Sequence, residues 1–404
     1  MKRKRRIVSI VILSLALLLS GCIGKRELNN LGIINLMGID LTEEGRYKIT
    51  VHIIKPSTGQ GGQPSTSQEA GSAIWVGWAE GQTIKEAVKN IRAKTSWLLI
   101  WSHCDIFVLG ERLSRQGISQ VLDYFARNLE VRLTSSILTT PHQAWQILQH
   151  SHQEKKEPVS DQINGLIDNI QDWSMACNLN LKEILYRLSS GRQELVLGKL
   201  ELAPADPVKQ GQLEQSSSKS GMEQIDQVLT MQGSSVFSKD KLVGYLTPTE
   251  TRGYLRLINQ IHNHNMNLTY RQQLISLETY RSKSQIELDQ KMNKYLIKIK
   301  EDSRLTEQDS DLHLISTNVI KQIQSKKEQA VIDETRAVLN KAIMMKADIF
   351  GLKDIFKRKD YNKWQTIKED WSNYLETLDY QIQVKSTMRQ AGMIDRTIMK
   401  KEAE

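Results

Sequence analysis

Cysteine is scarce in this chain: only three occur among 404 residues, at Cys22, Cys104 and Cys177. So small a count cannot form the disulfide framework that stabilises many small exported domains. If Cys22 has another use, one disulfide between Cys104 and Cys177 is available, and the sequence leaves that pairing open. Cys104 begins an apolar run, which favours a buried, unreactive role for its thiol.

Catalytic motifs are also missing. The sequence has no Walker loop and no GxGxxG, GxSxG or HExxH motif, so none of those mechanisms has its residues. His103-Cys104 cannot form a dyad alone, because neighbouring residues on a strand point to opposite faces. His150-x-His152 and His262-x-His264 lack a Cys or acidic partner at metal-ligand spacing, so we expect solvated histidines. We predict that the chain is not an enzyme and has no metal site, catalytic residue or cofactor.

Long apolar segments are limited to the first residues of the chain. The run from Ile7 to Leu19 has 13 residues and follows the basic stretch Lys2–Arg6, and it is shorter than the roughly 20 residues of a membrane-spanning helix. A basic segment, an apolar segment and small residues in this order are typical of a secretory signal. We therefore predict that residues 1–21 are a cleaved signal peptide. No later run is long enough to span a bilayer.

Leu19-Ser20-Gly21-Cys22 resembles the bacterial lipobox, in which the cysteine thiol is diacylated and the chain is cut directly before it. The thiol accepts the lipid, and small neighbours give the peptidase access. Two acyl chains are enough for stable anchoring, whereas one chain binds a membrane only marginally. Cys22 is thus the predicted lipidation site and the membrane the first predicted partner. The alternative is an ordinary cleaved signal with a chance cysteine.

Signal removal changes the charge of the chain. The formal net charge is +9, with a pI near 9.2, but the five basic residues of Lys2–Arg6 would leave with the signal, and +4 would remain. The other basic residues are interspersed with acids. The composition therefore gives no reason to expect a nucleic acid as partner.

The pattern of elements predicts an α+β (mixed α/β) fold of several domains, in which mixed sheets are packed by helices. Residues 22–202 are predicted to form an N-terminal α/β domain, with room for two subdomains. A Pro/Ser-rich stretch at 203–224 is predicted to be a linker. Residues 225–396 are predicted to form a C-terminal α+β domain whose sheet is covered by a long helix. The roughly 380 residues after the signal suit two or three domains.

Local patterns in the N-terminal half predict particular elements. A buried strand at Leu31–Ile39 and an alternating, half-buried strand at Tyr47–Ile53 form a hairpin. Thr83 and Glu86 form a capping box at the start of a helix. Strands at Cys104–Leu109 and Val131–Leu138 flank a helix as a βαβ unit. Trp75 and Trp78, which lie on either side of Gly77, are a candidate binding surface.

In the C-terminal half, the predicted elements are a hairpin, a helix, an antiparallel meander, a long helix and a last strand. An apolar stripe at helical spacing runs from Leu312 to Ala342 and is predicted to pack on the sheet. Trp364 and Trp371 fall seven residues apart on a short helix, which favours core packing over ligand stacking. The remaining segments are Val228–Phe237 with Leu242–Leu246 (hairpin), Thr249–Leu257 (helix), Leu274–Tyr280, Ile286–Leu288 and Tyr295–Ile299 (meander), and Tyr380–Met388 (last strand).

Seven further features occur in a fixed order over nearly the whole chain after Cys22. They are Arg26–Gly32, Gly233–Phe237, Lys241–Leu246, Glu250–Gly253, Ala347–Gly351, Trp364 with Trp371, and Arg389–Ile394. Together they resemble the Ger(x)C family, the C-subunit lipoproteins of spore germinant receptors in endospore-forming bacteria. Two segments depart from the family pattern. Ile23-Gly24 replaces the usual Trp-Asp after the lipid cysteine, and Arg127–Arg132 lacks the usual Asp-Pro turn.

The resemblance implies a non-enzymatic subunit of a membrane complex. Such a subunit has a multi-domain α+β body on the outer face of the cell membrane or inner spore membrane. It works beside an integral, transporter-like A-type subunit and a second integral, B-type subunit. The one position with defined chemistry that carries over is Cys22. Two alternatives stay open: a lipid-anchored solute-binding protein of an uptake system, which should have two similar lobes, and a cell-wall enzyme, which should show a catalytic constellation.

Overall fold

The computed structural model describes residues 30–55, 74–154, 158–204, 227–308 and 317–390. Cys22 and almost all of the predicted 203–224 linker lie outside these residues. The described chain forms two β-sheets with helices packed on them, which confirms the α+β prediction. Its strands are β1 (Leu31–Leu41), β2 (Tyr47–Ile54), β3 (Ile74–Gly81), β4 (Leu98–Ile100), β5 (Ile106–Leu109), β6 (Ser136–Thr139), β7 (Val196–Pro204), β8 (Gln227–Ser238), β9 (Lys241–Leu246), β10 (His264–Tyr270), β11 (Gln273–Asp289), β12 (Lys294–Gln308) and β13 (Asp379–Gln390).

The helices of the described chain vary from one turn to 28 residues. Two short 3-10 turns, at Lys368–Asp370 and Leu375–Thr377, flank the last of them. The α-helices are α1 (Ile84–Arg92), α2 (Glu111–Gln116), α3 (Ser119–Arg127), α4 (Ala144–Glu154), α5 (Val159–Asp168), α6 (Ile170–Trp173), α7 (Leu181–Ser190), α8 (Pro248–Leu257), α9 (Thr317–Met344), α10 (Leu352–Lys359), α11 (Tyr361–Ile367) and α12 (Trp371–Tyr374).

The larger sheet is mixed, with strand order β3-β2-β1-β5-β6-β7-β8-β9 and β4 beside β1. Its centre, from β1 through β5 and β6 to β7, is parallel, and its two margins are antiparallel. The predicted hairpin of β1 and β2 is confirmed by antiparallel pairs such as Ile39 with Ile49. β2 is buried on both faces rather than one, because α4 covers its polar side: the His52 ring hydrogen-bonds the Leu148 carbonyl oxygen at 2.8 Å.

The predicted βαβ unit is confirmed: β5 and β6 run parallel and are joined through α2 and α3. The second strand begins later than predicted, at Ser136 instead of Val131. Residues 131–135 form turns, in which the Ser135 amide donates to the Arg132 carbonyl oxygen at 3.2 Å. Leu133 is half exposed there, so apolar residue type alone was a poor guide to the strand start.

The larger sheet continues across the predicted linker. β7 precedes residues 205–226, β8 follows them, and the two strands pair antiparallel from Val196 with Val236 to Pro204 with Gln227. The predicted β8–β9 hairpin is confirmed, but it belongs to the larger sheet and not to the C-terminal one. The division into two domains at 203–224 stays a prediction. The strands on the two sides of that segment, β7 and β8, lie in the same sheet.

The smaller sheet has the order β10-β11-β12-β13. β10, β11 and β12 form an antiparallel meander, but its strands differ from the predicted ones. The segments Leu274–Tyr280 and Ile286–Leu288 are parts of one strand, β11, and the first strand, β10, was not predicted. The last strand, β13, pairs parallel to β12. Helix α9 covers one face of this sheet, with Val331 and Val338 fully buried, as the apolar stripe predicted. The first stripe positions, Leu312 and Ile315, lie outside the described residues.

Candidate functional site

The predicted lipid cysteine is followed closely by the larger sheet. Nine residues lead from Cys22 to Leu31, the first residue of β1, and a fully extended segment of that length spans at most about 32 Å. Cys22 itself lies outside the described residues, so the structure shows no geometry for it. In the described chain, no helix combines the length and the apolar character needed to span a bilayer.

The end of the sheet at which β1 begins carries an aromatic and aliphatic surface. Leu31 pairs with Leu98 of β4, and Leu98 is 41% exposed. Trp97 meets Trp75 of edge strand β3 edge to face, with ring centroids 6.0 Å apart. Both rings are partly exposed. Tryptophan is favoured at membrane–water boundaries because its ring is apolar and its N–H polar.

Gly32 is required for this arrangement. A Cβ at position 32 would lie 2.8 Å from Cγ2 of Ile53 and 3.3 Å from Cβ of Trp97. The side chains of Ile53 on β2 and of Trp97, directly before β4, would have to move to accommodate it. The glycine therefore lets the Trp97 segment lie directly against the beginning of β1.

The predicted binding surface of Trp75 and Trp78 divides into two parts. Trp75 packs against Trp97 at the sheet end, whereas Trp78 is 50% exposed further along β3. The ammonium groups of Lys48 and Lys94 lie 5.0 and 4.6 Å from the Trp78 ring centroid. These contacts are cation–π interactions. Trp78 is therefore a cation-flanked aromatic on an edge strand.

The two cysteines of the described chain have unreactive thiols. Cys104 and Cys177 are both buried and unpaired, so the disulfide that the sequence left open does not form in this structure. Burial raises the pKa of both thiols, that of Cys177 to about 11. A buried thiol with a raised pKa is a poor nucleophile. His103 is exposed while Cys104 is buried, which agrees with the exclusion of a dyad.

The histidines do not form metal sites in the described residues, where no group of three or more His, Cys, Asp or Glu could hold an ion. Residues 150 and 152 lie in helix α4 rather than in an extended segment. The prediction of solvated histidines is wrong for His264: the ring is 1% exposed, because β10 begins there beneath α8. Burial is the main cause that lowers its pKa to about 3. His262 is exposed, as predicted.

A buried charge network surrounds His264, and sequence reasoning missed it. Arg256 of α8 bonds Glu301 of β12 at 2.8 Å and Glu334 of α9 at 2.9 Å. Lys327 of α9 lies 3.1 Å from Glu301, and Arg252 pairs with Glu334. Buried charges persist only when they are paired and hydrogen-bonded. The signal in the sequence was a four-residue spacing of Arg252 and Arg256 on one helix face.

The Gly233-Ser234-Ser235 stretch has a structural role. Gly233 has φ of +76°, and a Cβ there would lie 2.4 Å from the Leu246 carbonyl oxygen. The buried Ser234 hydroxyl contacts the Cys177 thiol and the Thr251 hydroxyl, each at 3.2 Å. The glycine lets β8 bend against β9, while the serine hydroxyl links the strand to α8.

The two C-terminal tryptophans have the predicted packing role: Trp371 is buried in the core, and the partly buried Trp364 packs against it. Trp364 and Trp371 have ring centroids 5.4 Å apart, and Trp371 also contacts Phe356. The single predicted helix is divided between α11 and α12 by a 3-10 turn. A cleft that the sequence did not predict, of about 720 Å³, lies between α1 and α3 and is lined by Lys89, Tyr124 and other residues.

Comparison with known families accounts for both halves of the chain. A family model described as "Spore germination protein N-terminal domain" matches residues 24–202, and one described as "Spore germination B3/ GerAC like, C-terminal" matches residues 232–392. The chain belongs to the GerAC-like, or Ger(x)C, spore germination family. The family expected from the seven ordered features is thereby confirmed.

Individual members of the family align over almost the full chain. Spore germination protein KC of Bacillus subtilis (strain 168) is 24% identical, with 98% of each chain covered. Spore germination protein B3 of the same strain is 22% identical, with 96% of this chain and 98% of the relative covered. The crystal structure of the GerBC protein matches with a TM-score of 0.53 at 17% identity and covers 87% of this chain and 96% of that one. That likeness shows the shared fold.

Proposed function

We propose that this chain is a lipid-anchored, non-enzymatic subunit of a nutrient germinant receptor required for spore germination. Cys22 carries the diacylglyceryl anchor, at the outer face of the cell membrane or inner spore membrane. Integral A-type and B-type subunits of the receptor are its partners. The observation that carries the proposal is the ordered match of both halves to spore germination proteins, together with a lipobox cysteine nine residues before β1.

The described surface supports the orientation of a tethered body. Because the segment after Cys22 is short, the anchor would hold the Leu31 end of the larger sheet within about 32 Å of the lipid. Trp75, Trp97 and Leu98 lie at that end. Partly exposed tryptophans there suit the headgroup region, and they compensate for the missing tryptophan at position 23.

Docking, rather than turnover, is the activity that these side chains support. The thiols of Cys104 and Cys177 are buried, and the described residues provide no metal-binding group. A tether raises the local concentration of a weakly binding membrane partner without any additional contact. The solute-binding alternative requires two similar lobes, whereas the two described sheets differ in strand number and in strand order.

A fractionation and co-isolation experiment on spores tests the proposal. Epitope-tagged wild-type chain should sediment with the membrane after a high-salt wash and co-purify in detergent with the A-type and B-type subunits. Cys22→Ala should leave the body folded but release it from the membrane. The control Ser20→Ala, which keeps a small residue two positions before the lipid cysteine, should behave as wild type. Membrane recovery of Cys22→Ala at the wild-type level would refute the anchor.

A further inference from the structure

Three lysines form a straight row across the uncovered face of the smaller sheet. Lys283 of β11 lies directly opposite Lys300 of β12, and Lys300 lies directly beside Lys385 of β13. All three are exposed. Neighbouring strands lie about 4.8 Å apart, so the row spans roughly 10 Å. Like charges in directly opposed positions destabilise a sheet, so the row costs folding stability.

The three lysines lack the acidic partners that their neighbours have. On the same face Lys298 pairs with Glu287 at 3.0 Å, and Arg304 pairs with Glu278 at 2.6 Å. Within the described chain, no acid lies within ion-pair distance of Lys283, Lys300 or Lys385. None of the three is therefore in a direct ion pair, and the one carboxylate beside the row on this face, Asp302, pairs with Arg281 at 4.0 Å.

The surface around the row is concave and is positive on both sides of the sheet. A depression of about 280 Å³ is lined by the three lysines, by Arg281 and Thr387, and by the carboxylate residues Glu301 and Asp302. Beneath it, on the covered face, the buried network has the cations Arg252, Arg256 and Lys327 but only the carboxylates Glu301 and Glu334. The excess buried cation adds to the field that a ligand on the open face would experience.

We propose that this depression, the lysine row, binds a phosphate group. Each ammonium offers three N–H donors and no acceptor, and lysine binds phosphate as a point charge. A phosphate held between strands would accept hydrogen bonds from two neighbouring lysines and relieve their mutual repulsion. The Thr387 hydroxyl offers one more donor at the margin. Free phosphate and the headgroup of an anionic phospholipid share this chemistry.

The test uses the chain from residue 22 onward with Cys22→Ser, which contains every described residue and has no lipid of its own. One arm measures the melting temperature with inorganic phosphate against chloride at equal ionic strength. The other measures binding to vesicles of phosphatidylglycerol and phosphatidylcholine, with pure phosphatidylcholine vesicles as reference. The variant is Lys283→Gln/Lys300→Gln/Lys385→Gln. Lys241→Gln is the control, because Lys241 is an exposed lysine of β9 in the other sheet.

We expect phosphate to raise the melting temperature of the parent and of Lys241→Gln, but not of the triple variant. The triple variant should also melt higher than the parent in low salt without phosphate, since its repulsion is gone. If the source is a headgroup, binding to the anionic vesicles should fall roughly fivefold for each lysine removed. A phosphate response without vesicle binding would assign the site to the free anion. Equal responses of parent and triple variant in both arms would overturn the proposal.

Discussion

Arg256 and Glu301 form an ion pair in which both side chains are fully excluded from solvent, with Nε of Arg256 2.8 Å from Oε1 of Glu301. Arg256 lies on α8, Glu301 on β12, and Lys327 of α9 binds the other oxygen of the same carboxylate at 3.1 Å. Burial alone would raise the pKa of Glu301, but Arg256 and Lys327 outweigh burial and hold it well below its ordinary range. This one carboxylate therefore links the smaller sheet to both helices.

Glu301→Gln should strongly destabilise the protein, because it leaves Arg256 and Lys327 buried without their shared anion. Breaking a buried pair from one side costs about 3 to 5 kcal/mol. Glu287→Gln removes an exposed partner of Lys298 on the neighbouring strand and should cost less than about 1 kcal/mol. Urea unfolding of both variants measures the difference. Equal losses for the two would contradict the role given to the buried pair.

Acid should destabilise the protein through His264 before it affects the carboxylates. Burial lowers the pKa of His264 to about 3, whereas an unfolded histidine has a pKa near 6.5. The unfolded chain therefore binds the proton more readily, and the stability from the neutral ring is complete only above about pH 6.5. As the pH falls below that value, this contribution declines by up to about 1.4 kcal/mol per unit.

The free energy of unfolding, measured from pH 7 to pH 5, tests this assignment. His264→Gln should give a flatter profile than the parent protein. His262→Gln changes an exposed histidine two residues away and should keep the slope of the parent. A profile that stays equally steep in His264→Gln would show that another group causes the acid sensitivity.

Gly233→Ala should destabilise the larger sheet, because φ of +76° is strained for alanine and the new Cβ would lie 2.4 Å from the Leu246 carbonyl oxygen. We expect a loss of about 1 to 3 kcal/mol. Gly165→Ala is the matched control: Gly165 lies in helix α5, and its Cβ would meet no atom within 4 Å. That change should stabilise by up to about 1 kcal/mol. The melting temperatures of the two variants should shift in opposite directions. A shift of both in the same direction would contradict the role given to the backbone conformation of Gly233.

Cleavage between residues 205 and 226 should leave the two fragments associated. The composition of this segment predicts that a protease can reach and cut it. However, β7 and β8 on its two sides are paired over most of their length. The cut protein should therefore elute from a native sizing column as one species and separate only in denaturant. Two fragments that separate under native conditions would instead favour independent units divided at 203–224.

Local patterns predicted most elements, because their signals are contained in a few neighbouring residues. Thr83 caps α1 as predicted, with its hydroxyl accepting from the Glu86 amide at 3.2 Å. The other half of the predicted capping box differs, because the Glu86 carboxylate accepts from the Gln82 amide at 2.8 Å. The alternation in β13 and the apolar stripe of α9 gave the C-terminal architecture for the same reason. Cys22 remains a prediction from the leader pattern alone.

Features that depend on distant pairing were not predictable from those patterns. The lysine row joins positions 283, 300 and 385, which become neighbours only through strand register. The polar sequence around His264 predicted a solvated turn, but α8 and α9 cover this residue in the structure. β8 belongs to the larger sheet because it pairs with β7. The two strands are separated by residues 205–226, whose composition predicted a boundary between domains. In each case contacts between distant parts of the chain determined the structure, and local patterns in a single sequence do not predict such contacts.

The most direct test of the central claim is nutrient germination of spores that lack this chain, in a strain from which its paralogues have also been removed. We predict that these spores fail to respond to one class of small nutrient, yet still germinate with a receptor-independent agent. Wild-type chain should restore the response, and Cys22→Ala should not. Spores without the chain that respond normally to every nutrient would contradict the assignment to a germinant receptor.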